Sequence, residues 1–258
     1  MDYQQAWSFL DNLQFFKIKL GLDAMATFLA RVGNPQQDFP CIHIAGTNGK
    51  GSVASTLLSI LTNAGHKVGL YTSPHLSNVR ERFRIGESFI SKKDFAKLTA
   101  TITDVLGNDQ ITYFEFTTTL ALLWFCEQKV DLALMETGMG GRLDATNVVN
   151  PLVSIITNVS MDHEQYLGET LAEVAAEKAG IIKPDIPVVT GVEDDTVKKI
   201  IMKKCSDLNS PLYLLGRDFS AQRLKKTQQI SWNYSGIHQQ YKGLPLAMKG
   251  GYQVNNAA

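Results

Sequence analysis

One segment constrains this chain more than any other. Ala45-Gly46-Thr47-Asn48-Gly49-Lys50-Gly51-Ser52 stands between a short apolar run, Cys41 to Ala45, and a helical pattern from about Ser52 to Ala64, with Gly65 placed to cap it. A second apolar run, Lys67 to Tyr71, follows. Strand, glycine-rich turn, helix and strand make a βαβ unit, which requires parallel strands and a right-handed crossover. In such a turn the glycines let several backbone N–H groups converge. The helix N-terminus adds partial positive charge and Lys50 a full one, which together suit phosphate. The fit to G-x-x-x-x-G-K-[ST] is imperfect, because Ile44 occupies the first glycine position and Gly51 follows the lysine, leaving Ser52 as the nearest hydroxyl. The plainer alternative is a strand-to-helix turn with an incidental lysine.

The alternation extends along the chain. Leu22, Met25, Phe28, Leu29 and Val32 recur at helical spacing before Gly33 and Pro35. Ser91 with Asp94 reads as a capping box opening a helix that carries Phe95, Leu98, Ile102 and Leu106. Phe114 to Lys129 reads as a buried helix, Val130 to Glu136 and Leu152 to Asn158 as strands, and Thr170 to Ala179 as an amphipathic helix ended by Gly180. Pro187 to Gly191 and Pro211 to Leu215 are further strands flanking a lysine-rich helix. The fold class expected is α/β, a mostly parallel sheet flanked by helices. Residues 216–250 have short β-rich runs without helical period and read as a small antiparallel subregion on one edge; 251–258 reads as the start of a further helix.

Composition excludes several classes. Lys+Arg and Asp+Glu both number 25, so no net field favours nucleic acid or an anionic membrane, and any bound anion needs a local site. Cys41, Cys126 and Cys205 stand far apart with no C-x-x-C pair, which argues against disulfides or a thiolate zinc site. MDYQQAWSFLDNL has no basic-then-apolar leader pattern, and no run is long and apolar enough for a membrane span. A soluble, cytoplasmic, monomeric protein is expected.

Further chemistry falls at strand ends. Glu136 opens Glu136-Thr137-Gly138-Met139-Gly140-Gly141-Arg142 where a metal-binding carboxylate would stand in an open α/β sheet, and hard oxygens suit Mg²⁺. Ser160-Met161-Asp162-His163 follows the strand Leu152 to Asn158. Each motif alone reads equally as a turn. Lys178 shares a helical face with Leu171, Val174 and Ala175, which places a lysine on the buried stripe, where its neutral amine is favoured. The alternative is a helix-terminal lysine reaching to water. Tyr71 to Ile85 reads as a long polar loop whose arginines either clamp an anion or form a solvated charge run.

Taken together the motifs resemble the folylpolyglutamate synthase and dihydrofolate synthase family of the Mur ligase superfamily. They are HIAGTNGKGSV (His43 to Val53), YTSPHL (Tyr71 to Leu76), ERFRI (Glu81 to Ile85) and TYFEF (Thr112 to Phe116). ETGMGGRLDATN (Glu136 to Asn147), TNVSMDHEQYLG (Thr157 to Gly168), EKAGIIK (Glu177 to Lys183) and the closing GGYQVNNAA continue the series, the last with Tyr252 where the family has His. The resemblance implies that Gly46, Thr47, Asn48, Gly49, Lys50, Gly51 and Ser52 cradle ATP, with Asn256 a further nucleotide contact. Ser73, Glu136 and His163 match Mg²⁺-binding positions, and Lys178 matches a lysine carried as a carbamate that also reaches metal. Lys50, Lys178 and His163 are therefore the catalytic candidates. Thr112, Tyr113, Phe114, Glu115, Leu143, Asp144, Ala145 and Arg82 match substrate-holding segments.

The activity implied is ADP-forming ligation of L-glutamate to dihydropteroate, to the glutamate tail of tetrahydrofolate, or to both. The γ-phosphoryl group passes to the substrate carboxylate, and the amine of glutamate attacks the acyl phosphate. Residues 1–250 would be the ATP-binding domain and 251–258 the start of a linker to an absent C-terminal domain, which in the family supplies further nucleotide contacts and much of the glutamate site, so the chain by itself is expected to be inactive. Two rivals remain: another Mur-type amino-acid ligase, disfavoured because only 45 residues precede Gly46, and a non-catalytic nucleotide-binding module.

Overall fold

The structure, a computed structural model, describes residues 1–13, 21–224 and 230–258. Helices α1 (Tyr3–Leu13) and α2 (Asp23–Arg31) precede β1 (Cys41–Ala45), α3 (Lys50–Asn63) and β2 (Val68–Tyr71). A short hairpin of β3 (Phe83–Ile85) and β4 (Ser88–Phe89) leads to α4 (Lys92–Leu106) and α5 (Tyr113–Gln128). The series β5 (Leu132–Glu136), β6 (Val153–Ile156), α6 (Glu164–Leu167), α7 (Leu171–Ala179), β7 (Val188–Thr190), α8 (Asp195–Asp207) and β8 (Leu212–Leu214) completes the main layer. The expected alternation is thus present, with boundaries shifted by a residue or two. Strands β9 (Ser220–Arg223), β10 (Ile230–Ser235) and β11 (Gln240–Leu246), then α9 (Gln253–Ala257), close the chain.

The main sheet has the order β4-β3-β2-β5-β1-β6-β7-β8. From β2 to β8 every pairing is parallel, and the pairings of β3 with β2 and with β4 are antiparallel, so β3 alone is reversed in this sheet. Strand β5 lies between β1 and β2, so the βαβ unit read from the sequence spans a gap of one strand. Strands β9 to β11 form a separate antiparallel sheet; residues 225–229 of that expected subregion lie outside the described residues.

Alternation along β1 explains why helices cover both faces. Ile44 packs with Ala54 and Leu58 of α3, whereas Cys41 and Ala45 point to the opposite side. There α4 and α5 bring Phe95, Phe116 and Phe125, each fully buried and each contributing roughly 2–3 kcal/mol of hydrophobic stabilisation. Helices α7 and α8 close the other half with Ala175, Val197 and Ile201. Local signals start these helices: Thr112 with Glu115 and Thr170 with Glu173 form complete capping boxes. Ser91 caps α4 through the Asp94 N–H, while the Asp94 carboxylate accepts from the Ser91 hydroxyl rather than from its amide.

The stretch after β2 differs from expectation. Instead of a polar loop it holds a 3-10 turn, Val79–Arg82, and the β3 strand. Burial decides this: Val79, Arg82 and Phe83 are at most 7% exposed, so the charge run is not a solvated one.

Candidate active site

Parallel strands bring the carboxyl ends of β1, β2, β5 and β6 to one side of the sheet, where open α/β sheets hold ligands. The glycine-rich turn after β1 is stitched to the segment after β6. Thr47 N–H donates to Asn158 O at 3.0 Å and Asn48 N–H to Asn158 Oδ1 at 2.8 Å. Thr157 Oγ1 donates to Asn48 O at 2.6 Å, and Thr47 Oγ1 both donates to and accepts from the Ser160 backbone at 3.0 Å. Two glycines are required by space. Gly46 has φ 150°, and a Cβ there would lie 1.9 Å from Thr157 Oγ1. Gly49 has φ 86°, and its Cβ would meet Asn256 Oδ1 at 2.6 Å.

Helix α3 starts at Lys50, and its first intrahelical bond runs from Val53 N–H to Gly49 O. The N–H groups of Lys50, Gly51 and Ser52 are therefore free of the helix and face the turn. Lys50 Nζ lies over the same turn, donating to Gly46 O at 2.9 Å and Thr47 O at 3.2 Å. A cation, a helix N-terminus and converging amides meet here, which is the chemistry of a phosphate cradle. Helix α9 packs on α3, and this brings Asn256 to Gly49.

Beside the cradle, Ser73 N–H points at Glu136 Oε2, 3.4 Å away. Glu136 is 4% exposed. Burial pushes its carboxyl up to about 7, against the pull of Lys50, the Ser73 amide and Arg82. An ionised carboxylate at this depth lacks a close counter-charge, and a hard divalent cation would supply one; the Ser73 hydroxyl and Glu136 oxygens fit Mg²⁺ by donor type. Both line a cleft of about 730 Å³ that also includes Gly49, Gly51 and Ser52.

Lys178 is 2% exposed in the last turn of α7, so its side chain is buried rather than extended into solvent as an end-of-helix lysine would be. No described residue accepts a hydrogen bond from Nζ. Burial, then repulsion from Lys50, lowers its pKa to about 8, while Asp162 and Asp144 pull it back. Lys50 and Lys178 thus feel each other across one site. His163 sits at the rim. Its backbone is left-handed at φ 49°, its side chain is 53% exposed, and its Nε2 is 3.7 Å from Asp162 Oδ2. No described contact joins it to Ser73 or Glu136. Among the described residues, no group of three or more His, Cys, Asp or Glu side chains is placed to hold a metal.

The substrate-holding candidates divide into two groups. Arg82 is buried, its Nε–H donates to His75 Nδ1 at 2.9 Å, and its guanidinium lies 5.2 Å from the Tyr113 ring centroid. Phe114 packs on Tyr71 with ring centroids 5.8 Å apart. Thr112 and Glu115 are engaged with each other in the cap, which leaves Glu115 Oε1 buried without a partner. Asp144 is fully occupied inside the protein: Oδ2 accepts from the Gly138 and Met139 amides at 2.9 Å, and Oδ1 from Thr146 N–H at 3.0 Å and Thr146 Oγ1 at 2.5 Å. Ala145 beside it is buried and Leu143 half-buried.

Sequence reasoning missed three participants. Thr157 and Asn158 hold the phosphate turn, and a Thr-Asn pair at a strand end was the available signal. His43, fully buried on β1, has Nε2 2.8 Å from Thr146 Oγ1 and completes a chain through Asp144 to the turn after Glu136. Burial lowers its pKa to about 3, so it is neutral.

Sheet, phosphate cradle and buried oxygen pair define a nucleotide-binding α/β domain built around a phosphate turn. The model described as the Mur ligase middle domain matches residues 44–258, and the chain belongs to that family. The dihydrofolate synthase/folylpolyglutamate synthase of Bacillus subtilis is 36% identical over 266 residues, covering 99% of this chain and 61% of that protein. The crystal structure of folylpolyglutamate synthase from Thermotoga maritima matches with a TM-score of 0.91 and 38% identity, over 98% of this chain and 59% of that one. An FPGS–AMPPCP–folate complex matches with a TM-score of 0.94 and 34% identity, over 99% of this chain and 64% of that one. The chain thus spans about three-fifths of the length of these relatives.

Proposed function

We propose that this chain supplies the ATP-binding part of an ADP-forming ligase that joins L-glutamate to a folate-type acid, either dihydropteroate or the glutamate tail of a reduced folate. The observation that carries the reading is the phosphate turn with Lys50 set directly against the buried Glu136 and Ser73. The relatives named as folate ligases, and the complex holding an ATP analogue with folate, support the choice of substrate.

A carboxylate does not react with an amine near neutral pH, because oxide is too poor a leaving group. Transfer of the γ-phosphoryl group to the acid gives an acyl phosphate. Attack by the neutral amine of glutamate then forms the amide and releases phosphate. Such transfer depends on positioning and charge neutralisation. The free amides of Lys50, Gly51 and Ser52 orient the phosphate chain, and Lys50 leaves its loop carbonyls to neutralise the transferring group. Mg²⁺ bound with ATP would add charge neutralisation, with Ser73 and Glu136 holding it and His163 joining from the rim loop. Arg82 and the aromatic wall of Tyr113 and Phe114 face the acid. Asp144 supports the turn rather than touching substrate.

Lys178 is a carbamate in this reading. Only a neutral amine attacks CO₂, losing a proton as the N–C bond forms, and a pKa lowered to about 8 makes that amine accessible at neutral pH. The product is a carboxylate suited to a second cation. A ¹³C spectrum of protein equilibrated with ¹³CO₂ should show a carbamate signal that Lys178→Ala abolishes; an identical spectrum from both proteins removes the modification. The ligase reading itself is tested by ADP release from the full-length protein with each acid, with and without L-glutamate. Release that ignores glutamate sinks it.

A further inference from the structure

We infer that Arg84 is a specificity-determining residue whose guanidinium receives a carboxylate of a glutamyl group in the cleft that Glu136 also lines. The inference rests on the glutamate-ligase reading and adds a residue to it. In the antiparallel pairing of β2 with β3, Arg84 stands opposite Leu70. Directly paired residues share a face of a sheet, and Leu70 packs with Ala54 and Leu58 of α3. Arg84 therefore lies beside the first turns of α3, in the same 730 Å³ cleft as Ser52, Ser55, Ser73 and Glu136.

Its charge is held in place but little used. The guanidinium lies 5.7 Å from the Phe89 ring centroid, which fixes its plane. One Nη donates to Gly86 O at a long 3.3 Å, and Glu87 stands 4.0 Å away with a side chain 92% exposed, a pair worth little. Nε is buried without a hydrogen-bond partner. Glu81 also lines the cleft but does not neutralise Arg84: its oxygens accept from the amides of Leu76, Ser77 and Asn78 and from Ser77 Oγ. The cations acting on Glu136 are Lys50 and Arg82, so Glu136 is not the partner either. A planar cation with free N–H groups, in a cleft that Ser52 and Ser55 also line, matches a carboxylate. That carboxylate belongs to the incoming glutamate or to a glutamyl tail already on the acid.

The test observes the arginine directly. In ¹⁵N-labelled protein the Arg84 Nε–H signal is identified by its absence in Arg84→Lys, and L-glutamate, γ-glutamylglutamate and inorganic phosphate are titrated in turn. A saturable shift with L-glutamate assigns the incoming amino acid, and a shift with the dipeptide alone assigns the tail. No shift with either, or a shift driven as strongly by phosphate, overturns the inference. In turnover by the full-length protein, Arg84→Gln should raise KM for the assigned substrate about tenfold, with partial recovery in Arg84→Lys. An unmoved KM for glutamate and for both acids also refutes it. Absence of glutamate-dependent ADP release in the full-length protein sinks the ligase reading alone, because the Arg84 signal answers separately.

Discussion

The turn after β1 and the segment after β2 leave the same side of the sheet, yet they build their parts of the site by opposite means. The first presents backbone: Gly46 and Gly49 exist for lack of a Cβ, and the Thr157, Asn158 and Ser160 contacts fix its amides. The second presents side chains, with Arg82 held between His75 and Tyr113 and Arg84 over Phe89. A backbone cradle binds what every nucleotide shares, its phosphates. A side-chain wall distinguishes one acid from another.

The comparison breaks most easily at Lys50, the cation of the backbone cradle. Lys50→Ala should lose at least ~100-fold in affinity for a fluorescent ATP analogue, about 2.7 kcal/mol, with an unchanged melting temperature. Unchanged affinity would remove Lys50 from the phosphate site. Comparable in size is Gly46→Ala, expected to cost ~3 kcal/mol because a Cβ meets Thr157 Oγ1 in a backbone region hostile to side chains. Gly65→Ala is its control: φ is also positive, at 95°, but nothing lies within 4 Å, and ~1 kcal/mol is expected. Equal losses in thermal unfolding would show that strain alone, without the Thr157 contact, fixes the turn.

The same contrast explains what could be read in advance. Strand Cys41–Ala45, the start of α3 and the buried stripe of Lys178 were legible because local periodicity carries them. The phosphate turn was legible because its function lies in residue types that permit one backbone shape. The burial of Arg82 was not, since it depends on Tyr113, which is distant in sequence. The β3–β4 hairpin has strands of three and two residues, too short for alternation to register. Asp144 was expected at the substrate. Its four internal donors come from a turn closed on itself and from Thr146, a geometry that spacing does not encode.

Glu136 joins the two regions, and pH separates its contribution. Its folded pKa is raised from 4.5 to about 7. Between those values the unfolded chain has released a proton that the folded chain keeps. Stability is therefore full below pH 4.5 and falls as pH rises toward 7, by an amount on the order of 3 kcal/mol. His43, lowered from 6.5 to about 3, gives the opposite slope between those values. The difference between wild type and Glu136→Gln isolates the carboxylate. That difference in melting temperature should change steadily from pH 5 to 7, and Mg²⁺ with ATP should reduce it at pH 7.5. A flat difference denies that Glu136 is destabilised by burial.

The smallest effect belongs to the side-chain wall. Arg82→Lys keeps the charge but removes the Nε–H donor to His75 and the flat contact with Tyr113. The stability loss should be ~1 kcal/mol, since one hydrogen bond and one stacked cation are exchanged for a flexible ammonium. Affinity for the ATP analogue should stay within twofold, because the phosphate turn takes no hydrogen bond from Arg82. Binding of the folate acid, followed by quenching of its pterin fluorescence, should weaken severalfold. A variant that loses nucleotide and acid affinity together would mean that cradle and wall form one cooperative unit. The division between a backbone half and a side-chain half would then be a description of shape only.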